Sequence, residues 1–149
     1  MQNSDLIKRY EGCSLVAYLD DAKIPTIGYG TTIYKSGVKV KLGDIITGEQ
    51  ADEELEHHAE IVEGNVRRLV KQALTENQMA ALVSLVYNIG IGNFTTSTML
   101  KLINSPKFDK NKVSLEFLKW DKIRVDGELV KSKGLMNRRL DEMKVFLTA

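Results

Sequence analysis

Glu11, Asp20 and Thr26 fall close together near the N-terminus, inside the stretch EGCSLVAYLDDAKIPTIGYGTT. Two carboxyl groups and a hydroxyl are a sufficient set for acid/base chemistry on a bond that water must break. One carboxyl, kept protonated, donates to a leaving oxygen, while the other stays ionised and the hydroxyl holds a water. Glycoside hydrolysis is the reaction that most often uses such a pair, with environments that push the two pKa values apart. On spacing alone, a helix-end glutamate, a turn aspartate and a strand threonine account for the same residues better than an active site does.

What separates these readings is the structure that must hold the three groups. Ser4 to Tyr10 has a capping serine and an apolar face of Leu6, Ile7 and Tyr10, which predicts a short helix. Glu11 then lies at its C-terminal end, where free carbonyls and the negative end of the helix dipole disfavour a carboxylate and raise its pKa. Asp20 sits in the turn Leu19-Asp-Asp-Ala-Lys23, exposed enough to remain ionised. From Tyr29 to Leu42 the pattern changes period: Val38, Val40 and Leu42 alternate with Lys39 and Lys41, and Lys35-Ser36-Gly37 reads as a hairpin turn. Gly28 and Gly30 inside this region fit a bend or the close approach of a ligand to the backbone.

Beyond residue 46 helical signals take over. Thr47-Gly-Glu-Gln50 and Thr75-Glu-Asn-Gln78 both match the capping box. The first opens a helix at about Glu49 to Lys71, with Ala51, Leu55, Ala59, Val62 and Val66 in one stripe. Further helices are predicted at Gln78 to Tyr87, apolar enough to be central and buried, and at Ser97 to Asn104, Lys112 to Trp120 and Leu135 to Leu147. Pro106 and the glycines at 90, 92, 127 and 134 mark the breaks. The fold class is therefore α+β: a small sheet-bearing lobe at about 12–46, and a larger helical lobe from about 1–11 and 47–149, joined by the long helix.

The bulk properties agree with a globular enzyme. The 149 residues are 43% apolar and 28% charged, with a net charge of +1, which argues against a dedicated nucleic-acid binder. The charge is unevenly spread. Thr47 to Glu63 carries seven acids and no Lys or Arg, whereas Gly64 to Ala149 carries 15 basic and 8 acidic residues, a net of +7. Such a basic half can steer an anionic polymer. The single cysteine, Cys13, permits no intramolecular disulfide, and two residues from Glu11 it is either a small packed side chain or a thiol switch. His57 and His58 lie among glutamates, where a polar helix face accounts for them better than a metal site does. No apolar stretch approaches the roughly 18 residues of a spanning helix, and no signal segment opens the chain, so export is expected to depend on another protein or on an N-terminal extension. No cofactor is called for, and nothing suggests more than a monomer.

The text around the three residues resembles the phage-type lysozymes, the endolysin muramidases: Glu-Gly, then Ala-Tyr-x-Asp, then Thr-Ile-Gly-Tyr-Gly. TENQMAALVSLVYNIGIGNFTTSTMLKLIN is similar to that family's central helix and the turn after it, and FLKWDK and GLMNRRLDEMKVF resemble its Trp-bearing and C-terminal helices. The resemblance implies that Glu11 is the general acid, Asp20 the second carboxyl and Thr26 the group that orients the attacking water. It also implies a peptidoglycan substrate, cut between N-acetylmuramic acid and N-acetylglucosamine with inversion, which needs carboxyls roughly 6.5–9.5 Å apart. By the same resemblance the substrate lies in a cleft between the two lobes, where Tyr18, Thr32, Tyr87, Asn88 and Ser97 contact it, and release to the wall depends on a pore-forming protein. Of the adjacent pair Arg138 and Arg139, pointing about 100° apart on a helix, Arg139 is expected to face the cleft and Arg138 the solvent. The chain departs from the family at Thr31, where histidine is frequent, and at Pro25, where an aromatic is common. A lytic transglycosylase using Glu11, and a catalytically inactive wall-binding module, are the competing readings.

Overall fold

The computed structural model describes residues 2–148 and divides into two compact units, one of Ile7–Ile61 and one of Met1–Leu6 with Val62–Ala149. The division falls inside two helices, α1 (Asn3–Tyr10) and α2 (Gly48–Leu69).

In the smaller unit, β1 (Ser14–Leu19) and β2 (Pro25–Gly28) pair antiparallel, with Tyr18 opposite Thr26, Leu19 opposite Pro25 and an irregularity between Ser14 and Tyr18. The sheet stops at Gly28 because the chain there turns sharply. Gly28 and Gly30 take φ of 64° and 97°, left-handed values that glycine adopts without a Cβ clash. Ile27 and Thr31 close this turn by donating to each other's carbonyls at 2.9 and 2.8 Å. Residues 44–46 then run beside β1: Ala17 N donates to Asp44 O and Ile46 N to Leu15 O.

The alternation from Tyr29 to Leu42 does not become a sheet. Its turn is present, closed by Gly37 N on Tyr34 O and Tyr34 N on Val38 O, but only the single bridge Ile33–Lys39 and the bond from Val40 N to Thr32 O follow it. The reason is burial. Val40 is 4% exposed, but Val38 and Leu42, which share its predicted face, are 56% and 57% exposed and find nothing to pack on. The unit's core is instead built from Ile7, Ile27 and Val40 with Ala51, Leu55 and Ala59 of α2. The first half of α2 thus falls in the same compact unit as the sheet.

In the larger unit, α3 (Glu76–Ile89) is central: Gln78 to Val86 are all buried. Its capping box is present, with Thr75 Oγ1 accepting from Gln78 N at 3.1 Å and Gln78 Oε1 accepting from Thr75 N at 3.0 Å. The corresponding box at Thr47 and Gln50 opens α2. A short α4 (Ile91–Thr95), which the flanking glycines disguise as a break, leads to α5 (Thr98–Ile103) and α6 (Lys110–Glu116), which runs on into a 3-10 turn at Phe117–Lys119. The last helix, α7 (Lys133–Leu147), packs on α3, α6 and that turn, with the Phe117 and Phe146 rings 5.5 Å apart.

A second antiparallel hairpin joins that turn to α7. Strands β3 (Lys122–Val125) and β4 (Glu128–Lys131) flank Asp126-Gly127, both at positive φ, in the interval between two predicted helices. The Asp-Gly pair, with Val125 before it and Leu129 and Val130 soon after, is a hairpin signal. It is obscured because every residue of both strands is exposed, so no buried face sets an alternation.

Candidate functional site

Glu11, Asp20 and Thr26 all lie in the smaller unit. Glu11 directly follows α1, and its N–H still donates to Ile7 O at 2.8 Å, so its half-buried side chain leaves the helix's C-terminal end as the sequence predicts. Asp20 follows β1 and is half-buried. Its Oδ1 accepts from Ala22 N at 2.8 Å and Ile24 N at 2.9 Å, and its carbonyl accepts from Lys23 N at 2.9 Å. Lys23 is held at φ 62° to complete this turn. The aspartate therefore builds the loop that presents it, in the manner of an Asx-turn.

Thr26, on β2, is 4% exposed. Its hydroxyl donates to Ile24 O at 2.9 Å, the same carbonyl that accepts Asp20 N at 3.1 Å. With its proton committed there, the hydroxyl has only lone pairs to offer. A water beside it can donate to Oγ1 and direct its own lone pairs elsewhere, which is the orientation a nucleophilic water needs.

Other groups of this unit are also fixed. Tyr18 stands exposed opposite Thr26, and Thr32 is half-buried, its carbonyl taken by Val40 N. Tyr29 lies against Cys13 and Asp52; burial first, then the Cys13 thiol and the Asp52 carboxylate, raise its hydroxyl pKa. Tyr34 is pushed up to about 12 by burial and by the bond its hydroxyl donates to Asp44 Oδ2 at 2.8 Å. Among the described residues no three His, Cys, Asp or Glu side chains converge as metal ligands, and the His57 and His58 rings stand 6.5 Å apart.

The remaining predicted contacts lie in the larger unit. Asn88 is exposed near the end of α3, one residue after half-buried Tyr87. Asn88 lines a concavity of about 590 Å³ with Trp120 and Lys119. Ser97 lines an adjoining one of about 200 Å³ that shares the same Trp120 and Lys119. The Ser97 hydroxyl is also occupied in capping α5, accepting from Leu100 N at 3.1 Å and donating to Phe94 O at 2.7 Å.

The expectation that Arg138 faces solvent needs correction. Neither Arg138, at 3% exposed, nor Arg139, at 0%, reaches solvent. Both converge on the fully buried Glu142: Arg139 Nε lies 2.7 Å from Oε1, and Arg138 Nε 3.2 Å from Oε2, to which Ser84 Oγ donates at 2.5 Å. Helical spacing correctly points the two side chains apart, but Glu142 at i+4 and i+3 captures both, and α3 covers the pair. Burial raises the Glu142 pKa, while Arg139, Ser84 and Arg138 pull it back. No sequence signal separates this buried cluster from a solvated charged helix face.

With the geometry in hand, the chain's relatives can be placed. The profile of the phage lysozyme family matches residues 8–142. The chain is 42% identical over 144 residues to an endolysin of Acyrthosiphon pisum secondary endosymbiont phage 1, covering 97% of this chain and 94% of that protein. It is 37% identical over 142 residues to an endolysin of Salmonella phage P22, covering 95% and 92%. Among solved structures, an endolysin from the Escherichia coli O157:H7 phage FAHEc1 superposes with a TM-score of 0.87 at 41% identity, covering 97% of this chain and 90% of that one.

Proposed function

The chain belongs to the phage lysozyme family and is an enzyme of the lysozyme class that hydrolyses peptidoglycan, and we propose that it cuts the β-1,4 bond between N-acetylmuramic acid and N-acetylglucosamine by direct attack of water with inversion. Glu11 protonates the leaving oxygen, Asp20 supports the developing positive charge and the water, and Thr26 orients that water. The observation that carries this reading is the hydroxyl of Thr26, whose proton is already given to Ile24 O and whose lone pairs remain for a water. A transglycosylase, closing an anhydro ring without water, would have no use for that arrangement.

The reading extends to place. No helix among the described residues is long and apolar enough to cross a membrane. The enzyme is made in the host cytoplasm and acts on the wall from the periplasm, after release by a pore-forming protein.

The test is lysis of outer-membrane-permeabilised cells by wild type beside Glu11→Gln, with mass spectrometry of the digested murein. Glu11→Gln should lose at least the ~10²–10⁴ in rate attributed to one acid/base group. Protein that binds peptidoglycan without lowering turbidity would leave only a wall-binding module, and anhydro-muramic products would identify a transglycosylase. Proton NMR of the first-formed anomer decides between inversion and retention.

A further inference from the structure

Glu11 stands outside regular structure. With Gly12 and Cys13 it forms the link between the end of α1 and the start of β1, and beyond its chain neighbours nothing lies within 4 Å of the place a Cβ on Gly12 would take. A proton donor on such a link is only as well placed as the groups that hold the link. The register of the sheet identifies them. Ser14 pairs with Gly28, so Cys13 and Tyr29 come next in line on the two segments. The half-buried Tyr29 side chain is hydrogen-bonded to both Cys13 and Asp52. A carboxylate only accepts, so the Tyr29 hydroxyl donates to Asp52. Burial, then Cys13 and Asp52, raise the Tyr29 pKa, and the hydroxyl therefore keeps its proton through the neutral range.

Asp52 is itself well placed to act as an anchor. It follows Ala51 on α2, and Ala51 Cβ lies 3.5 Å from where a Cβ on Gly28 would stand, so the helix abuts the turn that carries Tyr29. Asp52 Oδ1 also lies 3.4 Å from Lys8 Nζ, in the last turn of α1 and three residues before Glu11. The segment containing Glu11 is thus tied to Asp52 at both ends, by Lys8 directly and by Cys13 through Tyr29. The Lys8 and Asp52 side chains are 38% and 49% exposed, so their pairing adds little stability, and its effect is one of position. All of these residues belong to the smaller unit, and Tyr29 is three residues beyond Thr26.

We propose that Tyr29 is a positioning residue for Glu11: by joining Cys13 to Asp52, it fixes the link that carries the acid relative to the strand that carries Thr26. The proposal rests on the muramidase reading above and adds to it a residue that acts through Glu11.

The experiment sets Tyr29→Phe, which keeps the ring and removes the hydroxyl, beside Asp52→Ala, which removes the acceptor. Each should lower kcat on murein roughly ten- to a hundredfold, the cost of displacing a reacting group by about 1 Å, with KM within about twofold of wild type. Asp52→Asn restores an acceptor for the hydroxyl and should recover most of the rate that Asp52→Ala loses. Combined with Tyr29→Phe it should recover none, because the two residues act as one unit. Wild-type kcat in Tyr29→Phe, a loss confined to KM, or equal rescue by Asp52→Asn in both backgrounds would overturn the proposal. NMR order parameters of the Gly12 and Cys13 amides read the link without any assay of activity, and they should fall in Tyr29→Phe. Unchanged values would refute the positioning role even where the rate falls. Should wild type fail to lyse permeabilised cells, the muramidase reading fails instead, and the order parameters still decide whether Tyr29 holds the link.

Discussion

Asp20 and Thr26 hold the two ends of one residue, Ile24: its N–H donates to Asp20 Oδ1, and its carbonyl receives both the Asp20 N–H and the Thr26 hydroxyl. The Asp20 carboxylate and the Thr26 hydroxyl are thereby set by a single residue rather than by two independent rotamers, which is the preorganisation that the proposed attack by water would use. Structure and chemistry at this point are separable by substitution. Asp20→Asn keeps an acceptor oxygen for Ala22 and Ile24, so it should lose activity while unfolding within about 0.5 kcal/mol of wild type. Asp20→Ala removes the acceptor and should cost about 1 kcal/mol besides. Thr26→Val should fold but lose activity, and Thr26→Ser should retain most of it. Lysis rates measured beside urea melts check all four, and a Thr26→Val enzyme of wild-type rate would remove the hydroxyl from the mechanism.

The buried cluster on α7 predicts the largest effect on stability. Glu142 is the shared anion of two arginines that have no exposure of their own. Glu142→Gln keeps the volume but removes the buried anion that both guanidinium groups share, and should destabilise by about 3–5 kcal/mol. Ser84→Ala, which removes one donor to the same carboxylate, should cost about 1–3 kcal/mol. Urea unfolding with an unchanged m-value measures both. A small effect of Glu142→Gln would mean that the arginines are neutralised by other groups.

How much of this was legible in the sequence depends on whether a signal is local. The capping boxes at Thr47 and Thr75, the helix-end position of Glu11 and the turn at Asp20 follow from residue types a few positions apart, and the structure contains them. The alternation at Val38, Val40 and Leu42 is as clear locally, yet it yields one buried residue, because a strand needs a partner sheet that the sequence does not announce. Asp126-Gly127 is a local hairpin signal, but the strands around it are exposed throughout and show no alternation to support it. Arg138 reads as a solvated residue because burial of three charges on one helix is visible only once α3 covers them. Locally encoded features are legible, and those created by packing between distant segments are not.

His58 gives the molecule an acid-sensitive point in its smaller unit. Burial, and next the neighbouring His57, lower its pKa from the ordinary 6.5, and Glu54 only partly opposes them. The folded protein thus holds this imidazole neutral more strongly than the unfolded chain does. Its contribution is fully present above pH 6.5 and is lost as pH falls through the lower folded value, since the unfolded chain takes up the proton first. Thermal midpoints recorded from pH 7.5 to 5 should fall on the acid side. His58→Gln should flatten that limb while leaving the alkaline limb in place, and an identical profile in the variant would show that the acid sensitivity lies elsewhere.

Thr31 supplies the converse case, a residue whose polar group works against the fold. It is fully buried, and its Oγ1 meets no hydrogen-bond partner, although its backbone is well held by Ile27. A buried hydroxyl without a partner keeps its desolvation cost with nothing in return, whereas an apolar group of the same shape does not. Thr31→Val preserves the β-branched shape and the backbone pairing, so it should raise stability by about 1 kcal/mol in urea melts. It should leave the lysis rate unchanged, because the side chain contributes nothing to the Asp20–Ile24–Thr26 linkage. Destabilisation by Thr31→Val would mean that the hydroxyl has a partner in solution, and that this position, where the chain departs from its family, is a polar contact after all.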